Sequence, residues 1–268
     1  MNYSMLCQTL LPDPVREEVK RIDQTYRHRD WERYWRLLFS PKQWQHGFEA
    51  LSRAFGEDPK GFQMLTCQLH CALTAYRQYR QKGIPEKIFW DTMGFIPRFL
   101  TWQKEHYGDY SFPCGWWFPR QLSLHEFRLG ELEYERVHTE EGPVISLHIP
   151  SGARLEPALL QTSLRQMQNL FLQYYPNFFQ APILCDSWML SPALKELLPE
   201  DSRILWFQSC FEVQSVDWDS DGVLNWVFPG PRVPYEQLPE KTALQRAMKQ
   251  YLLEGKKVGW ARGMLKGF

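Results

Sequence analysis

Two side chains lie in patterns that could move a proton. His148 belongs to the run Val144-Ile145-Ser146-Leu147-His148-Ile149. Alternate residues of a strand share a face, so Ser146 and His148 point one way and Ile145, Leu147 and Ile149 the other. An unperturbed imidazole titrates at about pH 6.5, which suits it to take up a proton near neutral pH. The same placement also fits a histidine that only satisfies hydrogen bonds on a sheet face. Glu133 lies in Glu131-Leu132-Glu133-Tyr134-Glu135, where alternation groups three carboxylates on one face. That face is either a base beside a site for a cationic amine or a solvated strand surface.

Three further groups could carry chemistry. Trp116-Trp117 and Arg120-Gln121 fall where helical periodicity gives way to strand signals. Trp117 and Arg120 there either line a substrate pocket or join two domains by packing. Cys67, His70 and Cys71 are spaced i, i+3 and i+4, so a helix places them on one face. Zinc would need further ligands from elsewhere. The flanking Phe62, Met64, Leu65 and Leu69 make the stretch a core stripe, and no metal is expected. Cys185 has no evident paired base and reads as a buried thiol.

Composition bounds the partners. The chain has 268 residues with 31 Lys plus Arg and 31 Asp plus Glu. A neutral chain lacks the basic excess that general nucleic-acid binding or a polybasic membrane surface needs. No run approaches the roughly 18 apolar residues of a membrane span. The first residues lack the basic start and cleavage site of a secretion signal. Six cysteines without a Cys-x-x-Cys fit reduced thiols, and the expected location is cytoplasmic. Aromatic residues make up 15% of the chain, enough for a large core. No phosphate loop, His-Glu-x-x-His, Gly-x-Ser-x-Gly or dinucleotide glycine motif occurs, which lowers the case for the enzymes they mark.

The elements that must position these groups follow from periodicity. Residues 1–113 read as helices. Ser40-Pro41 and Asp58-Pro59 are helix starts, and Gly56 and Gly83 suit helix ends. The second of these helices carries Phe62, Leu65, Leu69, Leu73 and Tyr76 on its stripe. From residue 114 the pattern changes to strands over 126–137 and 144–149, a helix over 157–175, a strand over 183–190 and a helix over 192–198. A β-rich run over 203–217 then turns at Asp219-Ser220-Asp221-Gly222 into a returning strand over 223–228. A final helix covers 242–253. The expected class is α+β: an all-helical domain over 1–113, then a mixed-sheet domain over 114–268 in the order ββ-α-β-α-ββ.

That order resembles the core of GNAT-type N-acyltransferases, and the local sequence is more specific. Phe89-Trp90-Asp91-Thr92, Trp116-Trp117, Arg120-Gln121-Leu122-Ser123, Phe127-Arg128-Leu129-Gly130-Glu131-Leu132-Glu133-Tyr134-Glu135, Ile145-Ser146-Leu147-His148-Ile149-Pro150-Ser151 and Cys185-Asp186-Ser187-Trp188-Met189-Leu190-Ser191-Pro192 look like one bacterial family. It pairs an N-acyltransferase-type helical N-terminal domain with a GNAT-like C-terminal domain, and the resemblance covers nearly the whole chain.

The resemblance implies that an amine attacks an acyl-CoA thioester directly. It implies a splay between the fourth strand, here 144–149, and the fifth, here 183–190, that admits the pantetheine arm. It also implies a loop whose N–H groups cradle the CoA pyrophosphate. By order that loop holds Ser151, Gly152, Ala153 and Arg154. It departs from the usual Gln/Arg-x-x-Gly-x-Gly/Ala pattern, and a plain strand-to-helix turn also fits it. His148 and Glu133 become the catalytic candidates, with Glu131 a further possible base. Asp186 and Ser187 join the substrate pocket through Cys185-Asp186-Ser187-Trp188, where relatives commonly carry Cys-His-Ser-Trp. No tyrosine lies in 192–198, where many GNAT enzymes keep their acid.

The expected activity is transfer of an acyl group from acyl-CoA to an amine on a small molecule or protein, without nucleic acid or membrane partners. A second reading is a catalytically degenerate GNAT fold that binds a small ligand or a partner. A third is carbohydrate binding through exposed tryptophans.

Overall fold

The computed structural model describes residues 1–268. They divide into two compact units, Met1–Leu129 and Gly130–Phe268.

The first unit is built around the helix Phe62–Lys82, which buries residues along its whole length, from Phe62 to Tyr79. A helix buried on this many sides lies inside a bundle. The Asp58 carboxylate accepts the backbone N–H groups of Gln63 and Met64 at 3.2 and 2.9 Å, satisfying two orphan donors of the first turn. Gly83 at φ +74° closes it, as a left-handed C-terminal residue does. Around it pack Tyr3–Leu10, Asp13–Asp23, Trp44–Phe55 and Glu86–Met93, and Phe95–Tyr107 packs on the last of these.

The compact unit runs past residue 113 to Leu129. The intervening segment is bound to the helices. Gln68, fully buried, donates to the Gly115 carbonyl at 2.6 Å. Tyr79 meets Phe127 edge-on at 5.9 Å. The Arg128 N–H donates to Thr92 Oγ1 at 3.1 Å. Gly61 is required: a Cβ there would stand 2.4 Å from the Phe112 carbonyl oxygen. The unit ends in β1, Glu126–Leu129. The strand expected over 126–137 is thus two, broken at Gly130, whose φ is +65°.

The second unit is a mixed sheet. Its strands are β2 (Leu132–Thr139), β3 (Gly142–His148), β4 (Ile183–Ser187), β5 (Phe211–Asp217) and β6 (Trp260–Leu265), in the spatial order β2-β3-β4-β6-β5. The β2–β3 hairpin is antiparallel, β3 and β4 are parallel, and β6 runs antiparallel to both β4 and β5. The helix Pro157–Tyr174 makes the crossover from β3 to β4 and buries Leu160, Met167, Leu170 and Phe171.

Three expected elements differ. Ile204 to Phe207 are helical, within Arg203–Ser209, because Ser202 caps the Ile204 N–H at 3.2 Å and the turn buries Phe207. Residues 223–228 form the short helix Leu224–Val227, packed in a cluster with Trp188, Leu194, Met248 and Tyr251. The strand pairing with β5 is therefore β6, from the glycine-punctuated tail. Gly263 makes room there: a Cβ on it would lie 3.0 Å from Leu190 Cδ1 and 3.2 Å from Phe211 Cβ. No helix is long and apolar enough to cross a membrane.

Candidate active site

The β2–β3 register sets Glu133 opposite His148, Tyr134 opposite Leu147 and Glu135 opposite Ser146. Alternation then divides the faces. Tyr134, Ile145 and Leu147 are buried on one side; Glu133, Glu135, Ser146 and His148 share the other. His148 Nε2 lies 3.0 Å from Glu135 Oε2. Their side chains are 25% and 18% exposed, so the pair is shielded but reachable. Glu133 is 6% exposed. The polar face expected from alternation therefore brings together His148, Glu133 and a third carboxylate, Glu135, which had only been grouped with its neighbours.

The parallel ladder between β3 and β4 is short. Ile145 pairs with Ile183, Ser146 with Leu184 and Leu147 with Cys185, and there it stops. β4 goes on pairing with β6, Asp186 with Arg262 and Ser187 with Ala261. His148 and Asp186 are thus the next positions on two strands that no longer pair. Asp186 holds Arg262 in a forked ion pair at 2.9, 3.1 and 3.0 Å, and this raises the guanidinium pKa. The Ser187 hydroxyl oxygen accepts the Met189 N–H at 3.1 Å and caps the turn after β4. Cys185 is buried, and burial pushes its thiol well above the ordinary range, which makes it inert.

The loop Ser151 to Arg154 turns by an Ala153 N–H to Pro150 carbonyl bond of 3.0 Å, with Gly152 at φ +80°. Arg154 points at a protein anion. Its N–H donates to Glu131 Oε2 at 3.0 Å, and Nε and Nη2 reach Oε1 at 3.1 and 2.7 Å. Glu131 is therefore a tethered carboxylate. The following helix begins at Pro157 without a side-chain cap.

Trp117 and Arg120 belong to the first unit. Arg120 Cζ lies 4.1 Å from the Trp117 ring, 4.6 Å from Trp44 and 5.6 Å from Trp116, a cation held among three indoles. Trp117 Nε1 and Gln121 Nε2 both donate to Glu126 Oε1, at 3.1 and 2.6 Å. Glu126 is fully buried. Sequence reasoning missed this carboxylate; its one signal was an acidic residue opening a strand next to a core phenylalanine.

The Cys67, His70, Cys71 face is core. All three thiol or ring groups have protein partners. His70 Nε2 bonds Asp23 Oδ1 at 2.7 Å and its ring stacks on Tyr3 at 4.0 Å. Burial raises the Cys67 thiol pKa, but hydrogen bonds with Cys71, His28 and Tyr26 outweigh it and bring it below the ordinary value.

Residues 1–124 match the N-acyltransferase N-terminal domain and residues 126–265 the GNAT-like C-terminal domain. The chain belongs to the family of N-acyltransferases that joins these two parts. A search of curated protein sequences finds no match. Among solved structures, the chain is similar to an acyltransferase in complex with decanoyl-CoA, at 25% identity and a TM-score of 0.78 over 98% of this chain and 86% of that one. An acyltransferase in complex with decanoyl-CoA and teicoplanin shares the fold at 23% identity and a TM-score of 0.79, over 97% and 86%. One in complex with CoA and 10C-teicoplanin does so at 21% and 0.73, over 100% of both chains.

Proposed function

We propose that the protein is a cytoplasmic N-acyltransferase that moves an acyl group from acyl-CoA to the amine of a small molecule. The observation that carries this reading is the end of the β3–β4 ladder with a half-buried His–Glu pair beside it. The solved relatives, crystallised with acyl-CoA or CoA, support the donor.

In this reading the thioester carbonyl lies in the opening beyond Leu147 and Cys185. The amine nitrogen attacks that carbon, forming the C–N bond. His148 takes the amine proton as the C–S bond breaks, and the CoA thiolate leaves to be protonated by solvent. Glu135 accepts from His148 Nε2–H and so fixes the neutral tautomer with its lone pair on Nδ1. Glu133, opposite His148, completes the polar face. Arg154, with the amides of Ser151, Gly152 and Ala153, would transfer from Glu131 to the CoA pyrophosphate. Asp186 and Ser187 border the opening.

The test is CoA thiol release from acetyl-, octanoyl- and decanoyl-CoA against a panel of amines. Release that depends on the amine and is lost in His148→Ala supports the reading. No amine-dependent release from any donor would sink it. A degenerate fold that binds another small ligand is favoured by one observation, the occupation of Arg154 by Glu131; no binding of acyl-CoA is its expected result.

A further inference from the structure

The second unit carries a cleft of about 660 Å³ lined by Leu190, Leu205, Phe211, Val213, Lys195 and Lys266, with Glu200, Gln208 and Ser209. It lies on the other face of the sheet from His148. Val213 pairs with Gly263, Gly263 with Cys185, and Cys185 with Leu147, so Phe211 and Val213 share the face opposite His148 and Asp186. The cleft is therefore separate from the acyl-transfer opening.

Its chemistry is two-sided. Leu205 is half-buried and Val213, on the edge strand β5, is left 37% exposed, so the two form an apolar strip in an otherwise polar lining. Gln208 Nε2 is spent on the Ser191 and Met189 carbonyls at 2.7 and 3.4 Å, and Ser209 Oγ on the Trp206 carbonyl at 2.6 Å. Lys195 and Lys266 are different. Both are exposed, and neither ammonium has a carboxylate within 4.0 Å, whereas Lys256 and Lys257 of the same unit are paired. Two cations and the single acid Glu200 leave the lining with one net positive charge. An apolar strip beside unpaired ammonium groups suits a ligand with an alkyl body and one negative charge.

We propose that this cleft binds a monoanionic amphiphile, a carboxylate with a medium-length alkyl chain. Lys195 and Lys266 receive the head, and the chain lies over Leu205, Phe211 and Val213. The site needs no acyl transfer and stands if the activity proposed above fails.

Calorimetry on the full chain with sodium decanoate tests it, using decanol as the neutral probe and decyltrimethylammonium as the cationic one. Decanoate should bind about tenfold more tightly than decanol, the order expected of a charge-assisted contact. Lys195→Gln/Lys266→Gln should abolish that preference, and saturating CoA should leave decanoate binding unchanged. Val213→Asp, a surface change, should weaken decanoate in the otherwise intact protein. Equal affinity for the probes, no decanoate binding, or displacement of decanoate by CoA would each overturn the proposal; the last would place the ligand in the acyl-transfer opening instead.

Discussion

His148 and Asp186 are the first residues on their strands beyond the last backbone pair joining β3 to β4, Leu147 with Cys185. They share one face of the sheet: His148 lies opposite Glu133 on β2 and is bonded to Glu135, and Asp186 lies opposite Arg262 on β6 and is paired with it. A row of ionisable side chains thus crosses the sheet and is interrupted only where the backbone ladder is.

If His148 is the base, His148→Ala should lower kcat by at least about a hundredfold, the usual worth of a positioned general base, with little change in KM for acyl-CoA. Glu135→Gln removes the acceptor that holds the His148 ring in one orientation. Its effect should be a smaller loss of kcat with KM for acyl-CoA unchanged. An unchanged kcat would remove Glu135 from the mechanism.

Asp186→Asn breaks a forked ion pair whose side chains are 44% and 53% exposed. Exposed pairs contribute about 1 kcal/mol or less, so urea unfolding should show a loss within that bound. Steady-state kinetics should show a raised KM for the acceptor and an unchanged KM for acyl-CoA. The opposite split would move Asp186 out of the acceptor site.

Arg154 and Glu131 should respond in opposite senses. Arg154→Gln removes a phosphate donor and should raise KM for acyl-CoA. Glu131→Gln removes the competing carboxylate and should lower it. Parallel changes in CoA affinity, measured by calorimetry, would show that the loop is a structural turn.

Stability should fall on the alkaline side. Burial pushes the Cys7 thiol up to about 11 and the Cys114 thiol up to about 12, from a reference of 9.0. Both stay neutral in the fold while the unfolded chain ionises. Their contribution is full below pH 9.0 and is lost as pH rises through the folded values. Cys114→Ala should flatten the decline of the melting temperature across that window.

Gly61→Ala should destabilise the first unit by roughly 2 kcal/mol or more, because a left-handed alanine is strained and its Cβ meets the Phe112 carbonyl. Thermal unfolding of the variant measures this.

The first unit was legible where caps and apolar periodicity agree, as in Phe62–Lys82 with Asp58 before it and Gly83 after it. The polar face of β3 followed from strict alternation. What alternation could not show was pairing. The run Ile204-Leu205-Trp206-Phe207 is as suited to a strand as to a turn of helix, and only the Ser202 cap and the burial of Phe207 decide it. β6 was hidden because Gly259 and Gly263 read as loop signals, although Gly263 is there to admit Leu190 and Phe211. The Glu131–Arg154 pair joins residues 23 apart, and no local pattern relates them.

The position of β6 has a consequence for how the molecule is made. It follows every other strand in the sequence, yet it lies inside the sheet, between β4 and β5. During synthesis β4 and β5 have no common partner until residues 260–265 leave the ribosome. The second unit must therefore complete its sheet by late insertion through contacts distant in sequence, a slow step that leaves unpaired strand edges exposed. The first unit ends at Leu129 and has left the ribosome before that step begins.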